Sequence, residues 1–373
     1  MKITILSTAY PLRGGIAHFN GLLYKTLVKE HSVNVITFKR QYPSILFPGK
    51  SQLEAGDTTE KIPSQVLVDS INPFNWLKVG YKLKEDKPDL IIFKYWMPFF
   101  APCFATILKV AKFNKHSKAM VICDNVIPHE KRPGDILLTK WFFNKVDYFV
   151  TMSKSVLNDL HIIKPKANSI LSFHPVYSNF GELVKKEDAK RRLGINTDKA
   201  FLFFGFIRDY KGLDTLIEAV NLIKDKLDFT LLVAGEFYTD KQKYLDLIAK
   251  YSLHEKIKLF TDFIPTDEVK YYFCASDVVV LPYKDATQSG IIQIANNFNK
   301  PIIATNVGGL GEVIKDGLNG YLRNPNNPNE IADAIMKYYN ENKESEFSEN
   351  IKSEKDKYSW ENFTKEICNM VKL

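Results

Sequence analysis

Short apolar segments alternate with amphipathic ones along almost the whole chain, and this alternation restricts the fold more than any other feature. The first segment, Lys2–Ser7, is a nearly continuous apolar run, and Ala17–Lys29 follows it with apolar residues at helical spacing. Apolar strands separated by amphipathic helices are typical of a parallel sheet that is covered on both faces. The alternation stops at the polar stretch Tyr177–Lys199 and resumes at Ala200–Phe206. The pattern therefore predicts an α/β protein with two doubly wound parallel sheets in series.

The length and the composition fit two domains of ordinary size. Of the 373 residues, 45% are hydrophobic and 25% are charged, which is enough apolar material for two cores. We predict a first domain over residues 1–178, a second over residues 179–352 and a terminal helix over residues 353–373. The chain is strongly charged beyond residue 340, until Tyr358-Ser359-Trp360 begins an amphipathic helix that needs a surface to cover.

The cysteines and the apolar runs argue against several other classes of protein. The four cysteines are single and form no Cys-x-x-Cys pair, so neither a zinc site nor a disulfide framework is expected. Cysteines of this kind predict a reducing, cytoplasmic compartment. The apolar runs are shorter than the roughly 18 residues that a membrane-spanning helix needs, so no such helix is expected.

The net charge of +8 predicts a surface that attracts phosphates, including nucleotides and anionic lipid headgroups. The lysines are spread along the chain without an arginine-rich block, so nucleic acid is not an expected partner. Basic and aromatic residues mix at Trp96–Phe100, Lys109–Lys118 and Lys140–Phe143. Such mixtures suit an interfacial surface, and they equally suit helices packed on a sheet. An anionic membrane surface, on the cytoplasmic face, is therefore one candidate partner.

A glycine pair follows the first predicted strand. Gly14-Gly15 allows the backbone to turn sharply and to approach a ligand closely, and the helix start that follows offers free N–H groups to an anion. The loop does not have the Gly-x-Gly-x-x-Gly spacing, so a dinucleotide fingerprint is absent. A simple tight turn explains this loop equally well.

Two cations follow the first strand of the second half. Arg208 and Lys211 lie three residues apart in the loop Gly205–Gly212, at the entry to a predicted helix. Two cations beside a helix N-terminus form a clamp for a diphosphate, because the helix dipole adds to their charge. A solvated charged loop would give the same isolated pattern.

A third region joins a loop of small polar residues to an apolar helix. It spans Tyr283–Ala295, and a buried strand with Lys300-Pro301 follows it. Free N–H groups and hydroxyls in such a loop suit phosphate groups and sugar hydroxyls. Another glycine turn with an acid, Val307–Glu312, comes one strand later.

Taken in order, these features resemble glycosyltransferase family 4, the retaining enzymes with the GT-B fold. The other two motifs that carry the resemblance are Ala275-Ser276-Asp277 leading to Leu281-Pro282-Tyr283, and the closing Tyr358-Ser359-Trp360-Glu361. The resemblance covers essentially the whole chain and is strongest over Phe201–Leu322. It implies two Rossmann-like domains that face each other across a cleft, with a C-terminal helix that crosses back to the N-terminal domain.

The resemblance also implies a nucleotide-sugar donor, a UDP- or GDP-sugar, that is bound without a metal or other cofactor. Arg208 and Lys211 would hold its diphosphate and act in catalysis. The other implied donor-binding residues lie in loops at strand ends and in the helix start that follows: Gly14, Gly15, Gly205, Glu236, Phe263, Ile264, Pro265, Tyr283, Thr287, Gln288, Ser289, Gly290, Ile291 and Gln293.

One departure from the family concerns two glutamates that are usually eight positions apart. Aligned without gaps on Lys300-Pro301, their positions hold Ala286 and Ile294. Asp285 and Gln293 also lie eight apart and would substitute after a slip of one residue. In the family, the first acid contacts the donor sugar and the second contacts the ribose, so the departure leaves the identity of the sugar and of the nucleotide open. Gln288 and Ser289 are alternative partners of the sugar.

The N-terminal domain is expected to hold a saccharide or lipid-linked acceptor. In many relatives a histidine closes the strand whose position here ends in Asp124. Asp124 with His129 would orient an acceptor hydroxyl beside Asn125, although His129-Glu130 has an alternative role in pinning a loop. His18 is a second polar candidate near the reaction centre.

The sequence thus predicts a retaining glycosyltransferase of polysaccharide or glycolipid assembly. No well-placed acid pair marks a carboxylate nucleophile, and the resemblance implies a front-face displacement instead. Two rivals remain. One is a degenerate module that binds a nucleotide sugar without turnover, and the other is a GT-B epimerase that works on a sugar nucleotide without an acceptor.

Overall fold

The computed structural model describes residues 1–43, 52–53, 61–128 and 132–372, and these form two compact units. The first unit contains the described residues up to 175 together with those from 358 onward. The second unit contains residues 176–357.

The first unit is built on a parallel sheet of seven strands in the order β3-β2-β1-β4-β5-β6-β7. Its strands are β1 (Lys2–Leu6), β2 (Ser32–Arg40), β3 (Gln65–Asp69), β4 (Leu90–Tyr95), β5 (Lys118–Cys123), β6 (Tyr148–Thr151) and β7 (Ser169–Leu171). The helices between them are α1 (Gly15–Leu27), α2 (Pro73–Asp86), α3 (Ala101–Ala111), α4 (Asp135–Phe143) and α5 (Lys154–Ile163). All residues of β4 are buried, which is why this strand has a continuous apolar run instead of an alternating one.

The second unit repeats the architecture with six parallel strands in the order β10-β9-β8-β11-β12-β13. Its helices are α6 (Lys186–Leu193), α7 (Leu213–Ile223), α8 (Gln242–Lys250), α9 (Val269–Ala275), α10 (Gly290–Asn297), α11 (Leu310–Val313), α12 (Pro328–Asn340) and α13 (Glu344–Glu354). Its strands are β8 (Ala200–Phe204), β9 (Thr230–Ala234), β10 (Ile257–Phe260), β11 (Val278–Leu281), β12 (Ile302–Thr305) and β13 (Gly320–Arg323). The predicted fold class of two doubly wound α/β sheets is therefore confirmed.

Side-chain caps fix where several helices begin. The Asn72 carboxamide oxygen accepts hydrogen bonds from two backbone N–H groups in the first turn of α2, where Pro73 is the first helical residue. Ser153 caps α5 and Asn327 caps α12 in the same way. These are the residue types that satisfy the free N–H groups of a helix start.

Two polar segments of the second unit contain helices. The polar stretch Tyr177–Lys199, where the alternation of the sequence stops, contains α6, whose lysine Lys186 forms ion pairs with Asp277 and Glu344. The charged region beyond residue 340 contains α13, which buries Phe347 in the core. In both helices a few long-range contacts hold a segment whose composition is mainly polar.

The last helix, α14 (Trp360–Lys372), belongs to the first unit and packs against α1. The rings of Trp360 and Phe363 meet the ring of Phe19 edge-on, with centroids 4.9 Å and 5.8 Å away. Such aromatic pairs add to the stabilisation from the buried area. This contact gives the terminal amphipathic helix an apolar surface to cover.

We predict that Gly212→Ala destabilises the protein far more than Gly317→Ala. Both glycines have positive φ, 69° and 75°, so either substitution incurs a left-handed backbone penalty of about 1–2 kcal/mol. A Cβ at Gly212 would also overlap the carbonyl oxygen of Pro282, whereas a Cβ at Gly317 would point into open space. Urea denaturation of the two variants measures the difference. Equal losses of unfolding free energy would show that the close approach at Gly212 is unimportant.

Candidate functional site

The strand order of the second unit reverses between β8 and β11, which are neighbours in the sheet. The chain leaves β8 toward β9 on one side and leaves β11 toward β12 on the other. In open α/β sheets, ligands bind in the crevice at the carboxyl ends of the strands at such a switch point. The loop after β8, residues 205–212, and the loop after β11, residues 282–289, therefore define the candidate site.

Backbone geometry turns the loop after β8 back over its own strand. Gly205 has a φ of 102°, and a Cβ built on it would lie 3.0 Å from Lys211 Nζ. The N–H of Ile207 donates to the carbonyl oxygen of Glu236 at 2.8 Å, and the N–H of Tyr238 donates to that of Ile207 at 2.9 Å. These bonds attach the loop to the segment after β9. The N–H of Lys211 donates to the carbonyl oxygen of Arg208 at 3.0 Å, so the two cations belong to a single turn.

Lys211 is a buried cation, with only 9% of its surface exposed. Its Nζ lies 5.6 Å from the centroid of the buried Tyr283 ring. No carboxylate among the described residues forms an ion pair with it. Burial, together with the positive charge of Arg208, lowers its pKa from 10.5 to about 8. A buried ammonium group beside a second cation is an arrangement that an anionic ligand would stabilise.

An aromatic stack holds the second cation. The guanidinium carbon of Arg208 lies 5.2 Å from the ring centroid of Tyr238, and that ring stacks on Phe206 with centroids 4.5 Å apart. Planar guanidinium groups combine stacking of this kind with bidentate hydrogen bonds to phosphate. Within the parts of the chain that the structure describes, Arg208 too has no carboxylate partner.

The loop after β11 is fastened to both neighbouring loops. The N–H of Lys284 donates to the carbonyl oxygen of Tyr210, and the Lys284 ammonium pairs with Asp214, both at 2.6 Å. The N–H of Gly309 donates to the carbonyl oxygen of Thr287 at 2.9 Å. These bonds bring three of the predicted loops together at one edge of the sheet.

The start of α10 faces the loop after β8. Ser289 precedes the helix without a side-chain cap, and its hydroxyl lies 3.3 Å from the Tyr283 hydroxyl. Ile291 in the first turn lies against Gly205, since its Cδ1 is 3.3 Å from the Cβ position built there. Gly290 at the helix start and Gln288 before it are half-buried. The predicted polar loop thus lies beside the two cations.

The remaining predicted donor residues have different surroundings. Glu236 is buried at the end of β9, next to the loop that it holds. Phe263, Ile264 and Pro265 follow β10 at the outer edge of the sheet, with Pro265 exposed. Gln293 is buried inside α10 and accepts a hydrogen bond from the Asn296 amide at 3.4 Å, whereas Asp285 is exposed. The two residues proposed to replace the glutamate pair therefore differ in access to a ligand.

The first unit has its own cluster at the carboxyl ends of its strands. Gly14 precedes α1 with a φ of 109°, Gly15 begins the helix, and His18 is buried in its first turn. Asp124 and Asn125 directly follow β5 and are half-buried. His129 lies outside the described residues.

Lys94 is a member of this cluster that sequence reasoning missed. Its Nζ lies 2.8 Å from the Asp124 carboxylate, and its side chain is 2% exposed. The sequence signal that could have identified it is a single lysine in the otherwise apolar run Leu90–Tyr95, a pattern typical of an interior strand. His174 is close by, and its Nδ1 donates to the carbonyl oxygen of Pro175 at 2.7 Å. Burial lowers the pKa of His174 to about 3, so its ring is neutral.

Residues 185–355 match the family model described as glycosyl transferases group 1. The chain superposes on Anabaena Alr3699/HepE with a TM-score of 0.78, covering 100% of both chains at 16% identity. Its fold is that of the GT-B glycosyltransferases.

Two curated relatives come from Methanocaldococcus jannaschii. The uncharacterized glycosyltransferase MJ1178 is 26% identical over 97% of this chain and 95% of its own length. The uncharacterized glycosyltransferase MJ1607 is 32% identical, but the match spans 51% of this chain and 49% of that protein. The chain is thus similar to glycosyltransferases in sequence, and its fold is shared with GT-B enzymes. No helix in the described ranges is both long and apolar enough to cross a bilayer.

Lys211→Met is expected to stabilise the ligand-free GT-B protein at neutral pH. The pKa of Lys211 falls from 10.5 to about 8 on folding, which corresponds to a penalty of about 3 kcal/mol. A lysine with a lowered folded-state pKa destabilises the fold below that pKa, and the penalty fades as the pH rises from about 8 toward 10.5. The stabilisation should therefore be larger at neutral pH than near pH 10 in denaturation experiments.

The exposed lysine Lys250 supplies the matched control for this comparison, because Lys250→Met changes the net charge equally without emptying a buried position. Lys250→Met should leave the unfolding free energy nearly unchanged at both pH values. A Lys211→Met protein that is less stable than the wild type at neutral pH would contradict the interpretation of Lys211 as an unneutralised buried cation.

Proposed function

We propose that the chain is a retaining, family-4-type glycosyltransferase that moves a sugar from a UDP- or GDP-sugar to an acceptor hydroxyl. The observation that carries the proposal is the buried ammonium of Lys211 beside Arg208, at the switch point of the second sheet. A nucleoside diphosphate supplies two to three negative charges in a compact group, which matches two adjacent cations and the start of α10. HepE, similar in fold, was solved with UDP, which supports a diphosphate ligand of this class.

The proposed reaction breaks the bond between the sugar C1 and the diphosphate oxygen. The acceptor oxygen forms a new bond to C1 on the same face, and its proton passes to the leaving diphosphate. Arg208 and Lys211 stabilise the negative charge that develops on the diphosphate as the C1–O bond breaks. Because two protein cations perform this neutralisation, the proposal assigns no metal to the site.

The acceptor is proposed to bind at the carboxyl ends of the strands in the first unit, where Asp124, Asn125 and His18 lie. A carboxylate can orient a hydroxyl by accepting its hydrogen bond. A saccharide or lipid-linked acceptor in polysaccharide or glycolipid assembly has hydroxyls of this kind. A sugar-nucleotide epimerase would not use such a cluster, since it needs no acceptor.

Binding of UDP and GDP should raise the melting temperature of the wild type and should do so far less in Arg208→Met/Lys211→Met. A ligand that binds only the folded state stabilises it by about 2.7 kcal/mol at a hundred times its dissociation constant. Loss of both cations should lower the transfer rate by at least a hundredfold, since one deleted oxyanion partner already costs roughly 2.7–4 kcal/mol. Thermal shift and sugar transfer, measured with EDTA present, test both expectations.

The control for that experiment is Lys250→Met/Lys256→Met, which removes two cations from the same unit away from the switch point. It should retain both the thermal shift and the transfer rate. Nucleotide binding without transfer or hydrolysis across a panel of sugar nucleotides would favour the degenerate module instead. Equal shifts in the wild type and the Arg208/Lys211 variant would remove the donor-site assignment.

We also propose that the protein associates peripherally with anionic membranes through the helical face of the first unit. Phe74 is 83% exposed on α2, with Leu77 and Tyr81 exposed on the same side of that helix. Leu137 is 72% exposed on α4, one turn before Trp141. Both helices pack against α3, and lysines interleave with the exposed apolar side chains. Apolar side chains among lysines suit the boundary between headgroups and acyl chains.

Liposome flotation tests this membrane proposal. The wild type should float with vesicles that contain an anionic lipid, and Phe74→Ser/Leu137→Ser should bind more weakly, because each lost apolar side chain removes buried area. Leu183→Ser is the matched control, since Leu183 is 59% exposed and belongs to the second unit. If the fraction of protein that floats depends neither on the anionic lipid nor on the two substitutions, the proposed surface is rejected.

A further inference from the structure

We propose that Lys94 is a positioning residue for transfer: it fixes the Asp124 carboxylate, which in turn orients the acceptor hydroxyl. The proposal rests on the proposed glycosyl transfer and identifies the part of the first unit that selects the acceptor's geometry. Its evidence is the burial, the contacts and the location of one ion pair.

Sheet register places the two residues side by side. Tyr95 at the end of β4 pairs with Cys123 at the end of β5, and the N–H of Asp124 donates to the carbonyl oxygen of Tyr95 at 2.8 Å. The ammonium of Lys94 then reaches the Asp124 carboxylate at 2.8 Å. The pair therefore lies at the carboxyl edge of the sheet, which is the ligand-binding edge of open α/β domains.

The side chains packed around Lys94 restrict the position of its ammonium group. Its Nζ lies 3.5 Å from the centroid of the Phe19 ring and 3.9 Å from Met152 Sδ. The neutral His174 ring meets the same Phe19 ring edge-on at 5.2 Å. Among the described residues, Asp124 supplies the only carboxylate within ion-pair distance of Lys94. One ammonium in a mainly apolar pocket thus determines where this carboxylate lies.

The two partners differ in their access to solvent. The Lys94 side chain is 2% exposed, whereas the Asp124 side chain is 18% exposed. The cation is thus in the interior, and the carboxylate can be reached from outside the sheet edge. Buried ion pairs seldom stabilise a fold more than a well-packed apolar pair would, so stability alone gives little reason for this arrangement. An anchored carboxylate at a ligand-binding edge is what orientation of a hydroxyl requires.

Phe19 also connects Lys94 to the C-terminal helix α14. The ring that contacts Lys94 also meets the rings of Trp360 and Phe363 of α14 edge-on. Helix α14 therefore supports the wall that keeps the Lys94 ammonium directed at Asp124. The terminal helix thus acts on the proposed acceptor site through one aromatic ring.

A double-mutant cycle tests the proposal with Lys94→Met, Asp124→Asn and the combined variant. Lys94→Met should lower kcat/KM for the acceptor by about 10- to 100-fold, because small displacements of orienting groups have effects of this size. The dissociation constant of the donor nucleotide, measured by calorimetry, should stay unchanged. The combined variant should be no slower than Asp124→Asn alone, because Lys94 acts only through that carboxylate. Lys94→Arg, which keeps the charge, should retain more activity than Lys94→Met.

Lys112→Met supplies the matched control. Lys112 pairs with Asp147 at 2.7 Å, in the same unit but before the start of β6. Its loss should affect stability without changing acceptor kcat/KM. If Lys94→Met does not fold, the same cycle is run with Lys94→Gln, which removes the charge but keeps a polar side chain, and the same outcomes are expected.

Wild-type acceptor kinetics in folded Lys94→Met, or multiplicative effects in the combined variant, would overturn the role of Lys94. That result is distinct from failure of the proposed function, in which the wild type itself neither binds donor nor transfers sugar. A parallel loss of donor affinity and acceptor kinetics in Lys94→Met would also overturn the proposal, because it would indicate a general structural role.

Discussion

The ammonium of Lys211 is the group on which the functional interpretation depends. A charge with 9% of its surface exposed, next to a second cation, is unfavourable in the absence of an anion. The surrounding structure holds it there nonetheless: Gly205 turns the loop back, Gly212 passes close to Pro282, and the Tyr283 ring lies beneath the ammonium. Under the proposed function, this group at the switch point of the sheet binds the negatively charged diphosphate.

The two units present the same architecture with different electrostatics. In the first unit, Lys94 at the end of β4 is neutralised by Asp124. In the second, Lys211 follows β8 and has no carboxylate partner within the described ranges. An internally neutralised cation suits a neutral hydroxylated ligand, whereas an unneutralised one suits a phosphate. This difference assigns the acceptor to the first unit and the diphosphate to the second, under the proposed function.

Sequence patterning predicted the fold well because its signals are local. The apolar run Lys2–Ser7 contains β1, the helical spacing of Ala17–Lys29 overlaps α1, and the alternation resumes at β8. Long-range contacts fix elements that the local pattern does not indicate: α6 is held by ion pairs to Asp277 and Glu344, and the short strand β13 pairs with β12. Neither partner is visible from the segment itself, so composition alone indicates a polar linker or a loop.

The sequence by itself determined the two doubly wound sheets and the positions of Gly205, Arg208 and Lys211 at a strand end. These features depend on the spacing of apolar residues and on the residue types in a loop, which are local in the sequence. Only the tertiary structure decided which charges are neutralised. Lys94 and Asp124 are thirty positions apart, and their pairing follows from the register of β4 against β5. The burial of a loop side chain likewise depends on its neighbours in space, such as the Tyr283 ring beside Lys211. Whether a side-chain charge is neutralised, and whether solvent can reach it, depend on the residues around it in space. Strand order and register decide which residues those are.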